Sequence, residues 1–291
     1  MNYLIYLAYG SADIRNEAFY SILSYDQVAP QRPDTQILIY TDDAVAFQHV
    51  LGHRPDIQYP KVEPEQWQEW RGAANKVYLL KVGVLEHAAM HYPGNLFFLD
   101  TDTIWRQDPA PLLTQIAGGT FYMHQNEGRL ISGNTLSRKV YKHLCGHEWP
   151  SGSHIMRVTP ETELFNSGVL AFRSDKVYLL KEVMTLAEQL YATYNKHMME
   201  QLAWSMRFAA EGPIEDVPEY LWHYWNLKDA RPVISRVVDK YGTQPQLLSQ
   251  FEQLNLPELH QQELAYRNLP GWQRTLRKLM GKRWKMPELA I

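Results

Sequence analysis

"NLFFLDTDTIW", residues 95 to 105, places four apolar residues directly before two aspartates, Asp100 and Asp102, with only Thr101 between them. A short continuous apolar run bounded by polar residues reads as a strand buried on both faces. Because side chains alternate along a strand, Asp100 and Asp102 share a face if the strand continues through them. A loop at that point converges their carboxylates on one cation. Two hard oxygen donors, with the remaining positions left to water and phosphate oxygens, suit Mg²⁺ or Mn²⁺. Asp-x-Asp alone also arises as ordinary turn chemistry, and the apolar run that delivers it is what favours the metal reading.

Outward from this stretch, the same strand signal recurs. "YLIYLAY" (3–9) ends at Gly10-Ser11 and is followed by the helical spacing of "NEAFYSILSY" (16–25); "TQILIYTDD" (35–43) ends in Asp42-Asp43. "NKVYLLKVGVLEHAAMH" (75–91) reads as a helix, and "FNSGVLAF" (165–172) as a further strand opening on Asn166-Ser167-Gly168. Residues 176–194 and 197–209 are helical by period, 217–232 are aromatic-rich, and the remainder reads as helices broken at Pro245, Pro257 and Pro270. Strands alternating with helices predict an α/β fold: a mostly parallel twisted central sheet flanked by helices, with a helical C-terminal extension. No internal repeat or Gly/Ser linker interrupts the chain, so no linker marks a domain boundary; residues 1–230 are expected to form the main domain, with 231–291 a helical extension packed on it and not clearly a separate domain. In such sheets ligands gather at the carboxyl ends of the strands, which places Gly10, Ser11 and Asp42 at the same edge as the aspartate pair. Turns favour these residue types in any case.

Composition narrows the class. The 291 residues are 45% hydrophobic and 21% charged with a formal net charge of −3, which fits a folded chain and gives no field for nucleic acid. The single cysteine, Cys145, excludes an intramolecular disulfide and a cysteine-rich zinc site, as expected of a reducing compartment. No basic segment precedes the first apolar run, and nowhere do about 18 apolar residues follow one another. A cytoplasmic protein is the expectation. The stretch "GWQRTLRKLMGKRWK" (271–285) carries Arg274, Arg277, Lys278, Lys282, Arg283 and Lys285 and no acid. On a helical projection of 272–285, Trp272, Leu276, Leu279 and Trp284 take one side and the basic residues the other. Such a helix suits peripheral contact with an anionic inner membrane face, or it packs Trp272 and Leu276 on the domain.

At this point the chain resembles a known group. "FFLDTDTIW" is similar to the Asp-x-Asp segment of nucleotide-sugar glycosyltransferases of the GT-A fold, of the glycogenin and bacterial galactosyltransferase type (family 8-like). "FNSGVLAF" resembles that group's Asn-x-Gly strand, "MMEQLAWS" its Asp-Gln segment with Glu200 in place of the acid, and "WHYW" supplies a later histidine. The resemblance runs over residues 3 to about 225 as short motifs in the right order. It implies a GT-A-like fold in which Asp100 and Asp102 bind the divalent cation, Asp100 also approaches the ribose or sugar, and His223 is a third ligand. A packed histidine among aromatics is the other reading of His223. The family's later histidine is followed by a Gly and a Lys that hold phosphates; this chain departs from that order, and Lys228 is the substitute.

Position by position, the resemblance further implies that Tyr9, Gly10, Ser11 and Asp42 contact base and ribose, with Thr101 also at the donor. Arg71, Lys76 and Lys81 are candidates for a basic donor contact, Lys76 first; each also reads as a solvated surface base. Asn166, Glu200 and Gln201 surround the sugar, unless Glu200 and Gln201 are plain polar positions of a helix. The chemistry explains the residue types. Cleaving the bond between a sugar and a nucleoside diphosphate puts negative charge on the departing phosphate, which a cation and basic side chains stabilise. The sugar becomes electron-poor and calls for amide or carboxylate oxygens. Glu200 serves as acceptor base if the course is inverting; the Glu-Gln pattern resembles the retaining group. The implied reaction is metal-dependent transfer from a nucleotide sugar, UDP first, to a glycan or lipid-linked acceptor. Two other classes stay open: a non-catalytic carbohydrate-binding protein whose nine Trp and eighteen Tyr line a groove, and a metal-dependent nucleotidyltransferase or phosphohydrolase. The latter lacks a Walker-type phosphate loop and a His-rich dimetal cluster here.

Overall fold

In the computed structural model, which describes residues 1–243 and 245–287, the apolar runs of the first half form β1 (Asn2–Ala8), β2 (Thr35–Thr41), β3 (Ile57–Gln58) and β4 (Asn95–Leu99). Next come β5 (Thr103–Trp105) and β6 (Phe121–Met123). A seven-stranded sheet runs in the order β3-β2-β1-β4, then Val169–Arg173, β6 and Ile214–Asp216. Val169–Arg173 is antiparallel to both of its neighbours, and the other strands run parallel to one another. The expected α/β class with a mostly parallel sheet is what the chain adopts.

Period-two alternation explains why β4 is apolar at every position. Leu96 and Phe98 enter one core with Tyr3, Ile5, Leu38, Leu170 and Phe172; Phe97 and Leu99 enter the other with Leu4, Tyr6, Ile39 and Val169. The first core is roofed by helices Leu80–His91, Tyr178–Thr193 and Met199–Glu211. The second is covered by Ala12–Val28, Ala110–Ala117 and Arg231–Tyr241, with residues from Leu247–Gln253 and Leu256–Arg267. Each fully buried Leu or Phe contributes on the order of 2 kcal/mol of apolar burial, so the central strand cannot slip by one residue without exchanging both faces.

Local boundaries differ from the sequence reading in three places. The helix expected from residue 75 starts at Leu80, because Asn75 takes a left-handed conformation (φ 47°) and Val77–Leu79 form a single 3-10 turn. "FNSGVLAF" is two strands, Glu163–Phe165 and Val169–Arg173, interrupted at Asn166–Gly168. The terminal amphipathic helix does not run over 272–285: it ends at Leu279 and Gly281 turns left-handed (φ 70°). Trp284 and Met286 then pack against the second core, so Trp284 does not share the exposed face of Trp272, Leu276 and Leu279. Among the described residues no helix is long and apolar enough to cross a membrane.

Helix Leu80–His91 approaches the segment before it closely enough that Gly83 has no room for a side chain: a Cβ there would lie 2.1 Å from Cγ of Trp70. Trp70 is itself buried, edge-on to Trp67 and Tyr40. Gly83→Ala should therefore cost about 1–3 kcal/mol by overpacking. Urea unfolding of the variant checks this, and an unchanged midpoint would show that Trp70 yields freely.

Candidate active site

Strand β4 stops at Leu99, and Asp100–Asp102 form a turn before β5 begins, so it is a turn rather than the pleat that converges the two carboxylates. Thr103 Oγ1 donates to the Asp100 carbonyl (2.8 Å), and the Asp100 amide donates to the Gly168 carbonyl (2.8 Å). Opposite β5 lies Leu221–His223, antiparallel, with His223 paired to Thr103; the Tyr224 amide donates to the Asp102 carbonyl (3.0 Å). This register delivers the imidazole to the aspartates. One donor atom each from Asp100, Asp102 and His223 lie within 4.8 Å of one another.

The surroundings fix how His223 presents itself. Asn166 Oδ1 accepts the Gly168 N–H (2.9 Å), and its Nδ2 donates to Glu127 Oε1 (3.1 Å), so the amide orientation is set. Nδ1 of His223, 3.0 Å from that same Oδ1, therefore carries hydrogen, and Nε2 is turned to Asp102 Oδ1 at 3.0 Å and Asp100 Oδ2 at 4.0 Å. Gly168 is obligatory for this arrangement, since a Cβ there would stand 2.2 Å from His223 Cε1. Burial opposes charging His223, but the Asp102 carboxylate outweighs it and holds the imidazole pKa above its ordinary value. Burial likewise opposes ionising Asp102, and His223 more than reverses this, keeping its pKa low. The imidazolium proton thus faces Asp102 where a bound cation would sit. Oxygen and imidazole donors at these separations fit Mn²⁺ or Mg²⁺.

The turn opens on a cavity of about 650 Å³ whose lining includes Tyr9, Lys81, Asp100, Thr101, Asp102, His223, Lys228 and Arg231. Lys81 is buried, with Nζ 3.2 Å from Asp100 Oδ1 and 2.9 Å from the Ser167 carbonyl. Burial opposes its charge, and Asp100 and Glu200 overcome that opposition, so it stays cationic. Arg231 is gripped at Nε by both oxygens of buried Glu17 (3.0 and 3.1 Å), with Nη2 3.9 Å from Asp102 Oδ2. Burial, then the Asp102 charge, push the Glu17 carboxyl up to about 8.

Of the other predicted residues, Tyr9 stacks on Trp67 at the cavity wall. The Gly10 amide donates to Asp42 (3.2 Å), which also faces Arg15, while Ser11 caps helix Ala12–Val28 through Ile14 N. Lys76 lies outside the cavity lining, with Nζ over the Tyr191 ring; Lys81, ranked behind it in the sequence, is the lysine beside Asp100. Arg71 is not in the lining either. Glu200 is buried and accepts from Ser167 Oγ (3.1 Å); Gln201 Nε2 donates to Glu127 Oε2 (3.0 Å). Sequence reasoning missed Glu17, Arg231, Glu127 and His124. His124 packs edge-on to His223 at 5.0 Å, and burial with the His223 charge pushes it down to about 3, so it is neutral. None carried a signal: Glu17 reads as an ordinary residue inside a helix, and Arg231 as a helix start before Pro232.

No family model matches the sequence, and no curated protein matches it. Among solved structures, the chain is similar to the galactosyltransferase LgtC in complex with donor and acceptor sugar analogs: 14% identity, 72% of this chain and 70% of that one, TM-score 0.47. Mouse xyloside xylosyltransferase 1 in its apo form gives 13%, 75% and 85%, with TM-score 0.48. The glycosyltransferase GlyE of Streptococcus pneumoniae TIGR4 gives 11%, 74% and 46%, with TM-score 0.42. At such scores these likenesses assign no reaction to this chain.

Burial raises the Glu200 carboxyl from 4.5 to about 7, with Lys81 opposing. Between these two values the unfolded chain releases a proton that the folded chain keeps, so this group makes stability fall as pH rises. Glu200→Gln retains the neutral form and should be more stable than the parent at pH 8, by up to about 3 kcal/mol, the gap closing towards pH 4. Urea titrations at both pH values decide it; a variant less stable at pH 8 contradicts the assignment.

Proposed function

We propose that the protein is a metal-dependent glycosyltransferase that transfers a sugar from a nucleotide sugar, with UDP as the carrier to test first. The observation that carries this reading is the convergence of Asp100, Asp102 and His223, with Nε2 turned inward, at the edge of a 650 Å³ cavity. Asp100, Asp102 and His223 would hold a divalent cation, which would supply fixed positive charge for the phosphate oxygens of the donor.

The chain's own residues do the rest. Arg231, its Nε committed to Glu17, presents its remaining N–H groups at the cavity wall, and Lys228 stands exposed beside it, so both face a departing diphosphate. Lys81 holds Asp100 in place while balancing its charge. Tyr9 and Thr101 line the cavity and are the contacts for base and ribose, while Gly10 and Asp42, bonded to each other, lie outside the lining. Neither Asn166 nor Gln201 lines the cavity: Asn166 is committed to Gly168, His223 and Glu127, and Gln201 holds Glu127 through Nε2, so both act on the sugar side only through the residues they hold. Glu200 is buried against Ser167 and is not in the cavity lining, which leaves it poorly placed as an acceptor base and supports a retaining course.

The acceptor we infer is a glycan or lipid-linked glycan. Helix Gly271–Leu279 supports the second form: Trp272, Leu276 and Leu279 are exposed beside Arg274, Arg277 and Lys278, a composition suited to peripheral contact with an anionic membrane at its cytoplasmic face.

Mn²⁺ with a UDP-sugar should raise the melting temperature and yield free nucleoside diphosphate; Asp102→Asn and Gly168→Ala should lose both responses. A flat response of the parent chain to every UDP- and GDP-sugar would remove the enzymatic reading. Because His223 must surrender its Nε2 proton to ligate a cation, Mn²⁺ binding should release protons and tighten from pH 6 to pH 8. Calorimetry in buffers of different ionisation enthalpy measures this, and binding without proton release would exclude His223 as a ligand.

A further inference from the structure

Glu127 lies beyond the cavity, yet both of its oxygens are engaged by amides of the site. Oε1 accepts from Asn166 Nδ2 (3.1 Å) and Oε2 from Gln201 Nε2 (3.0 Å). Glu127 is held there by backbone: strand Asn126–Arg129 pairs with Glu163–Phe165, the Asn166 amide donates to the Gln125 carbonyl (2.8 Å), and the His124 amide to the Asn166 carbonyl (3.0 Å). Asn166 is therefore pinned at both ends of its carboxamide, by Gly168 N–H and His223 Nδ1 at the oxygen and by Glu127 at the nitrogen.

We propose that Glu127 is a positioning residue for the cation site: by holding Asn166 Nδ2 it aims Asn166 Oδ1 at His223 Nδ1–H, and so fixes the imidazole with Nε2 towards Asp100 and Asp102. The proposal rests on the metal-site reading above. A partner that fixes tautomer and ring orientation in this way is worth about 10–100-fold in metal affinity. Gln201, tied to the same carboxylate, places helix Met199–Glu211 on this network, so the sugar side and the cation side share one anchor.

Two readouts test it. Mn²⁺ affinity by electron paramagnetic resonance should fall about tenfold in Glu127→Ala and stay near the parent value in Glu127→Gln, which keeps an acceptor for Asn166. In an Asn166→Asp background both oxygens at 166 accept without help, so adding Glu127→Ala should cost no further affinity; loss in a merely unfolded variant would persist there. In the metal-free protein, the His223 Nδ1–H proton resonance should be slowly exchanging in the parent and in Glu127→Gln, and fast or absent in Glu127→Ala. If Glu127→Ala binds Mn²⁺ as the parent does and keeps that protected proton, the positioning role is overturned while the metal site stands. If the parent binds no Mn²⁺, the metal reading fails and with it the proposal's consequence for affinity, whereas the proton resonance still decides whether Glu127 orients the ring.

Discussion

Thr103 and His223 face each other across a three-residue antiparallel pair, and the geometry of the site follows from that pairing. The central strand ends at Leu99, the chain turns through Asp100–Asp102, and β5 resumes only to receive Leu221–His223 beside it. Shifted by one residue, the pair would turn His223 to the opposite face and present Trp222 or Tyr224 to the aspartates. Gly168 then guards the other side of the ring, where any side chain would collide with it.

Around this pairing the molecule buries ionisable groups it could have kept in water. Asp102, Glu17, Glu200, Lys81 and His223 are all buried, and each finds an opposite charge or a hydrogen bond: Asp102 with His223, Glu17 with Arg231, Lys81 with Asp100, Glu200 with Ser167. Burying such groups costs several kcal/mol each before pairing, and natural chains accept that cost mainly where the charges act on something. The depressed pKa of His124 beside the raised pKa of His223 shows the same environment separating two neighbouring imidazoles into a neutral and a charged one.

The sheet was legible from sequence because its signal is local. "YLIYLA", "TQILIYT" and "NLFFL" each alternate between two cores, and the sequence carries that alternation as unbroken apolar runs. Asp100 and Asp102 were legible for a related reason, since polar residues ending a buried strand have a fixed address in a parallel sheet. Long-range placement was not legible. Nothing in "MMEQLAWS" or "YMHQNEG" reports that Glu127 would meet Asn166 and Gln201, because those contacts depend on the separate antiparallel pairing of Asn126–Arg129 with Glu163–Phe165. Lys76 and Lys81 are both lysines near the start of one helix; which of them reaches Asp100 was decided by the left-handed Asn75 and the delayed helix start at Leu80, a backbone detail that apolar periodicity does not encode.

Asp102 and His223 are 121 positions apart along the chain. Closing a loop of that length carries an entropic penalty, which the packing of the intervening chain into both cores must offset. A nascent chain that has not yet reached residue 223 has Lys81 to balance Asp100 but no imidazole for Asp102. The Asp100–Asp102–His223 cluster is accordingly complete only once residue 223 has docked, and a terminus trimmed before that histidine would leave Asp102 buried without its partner.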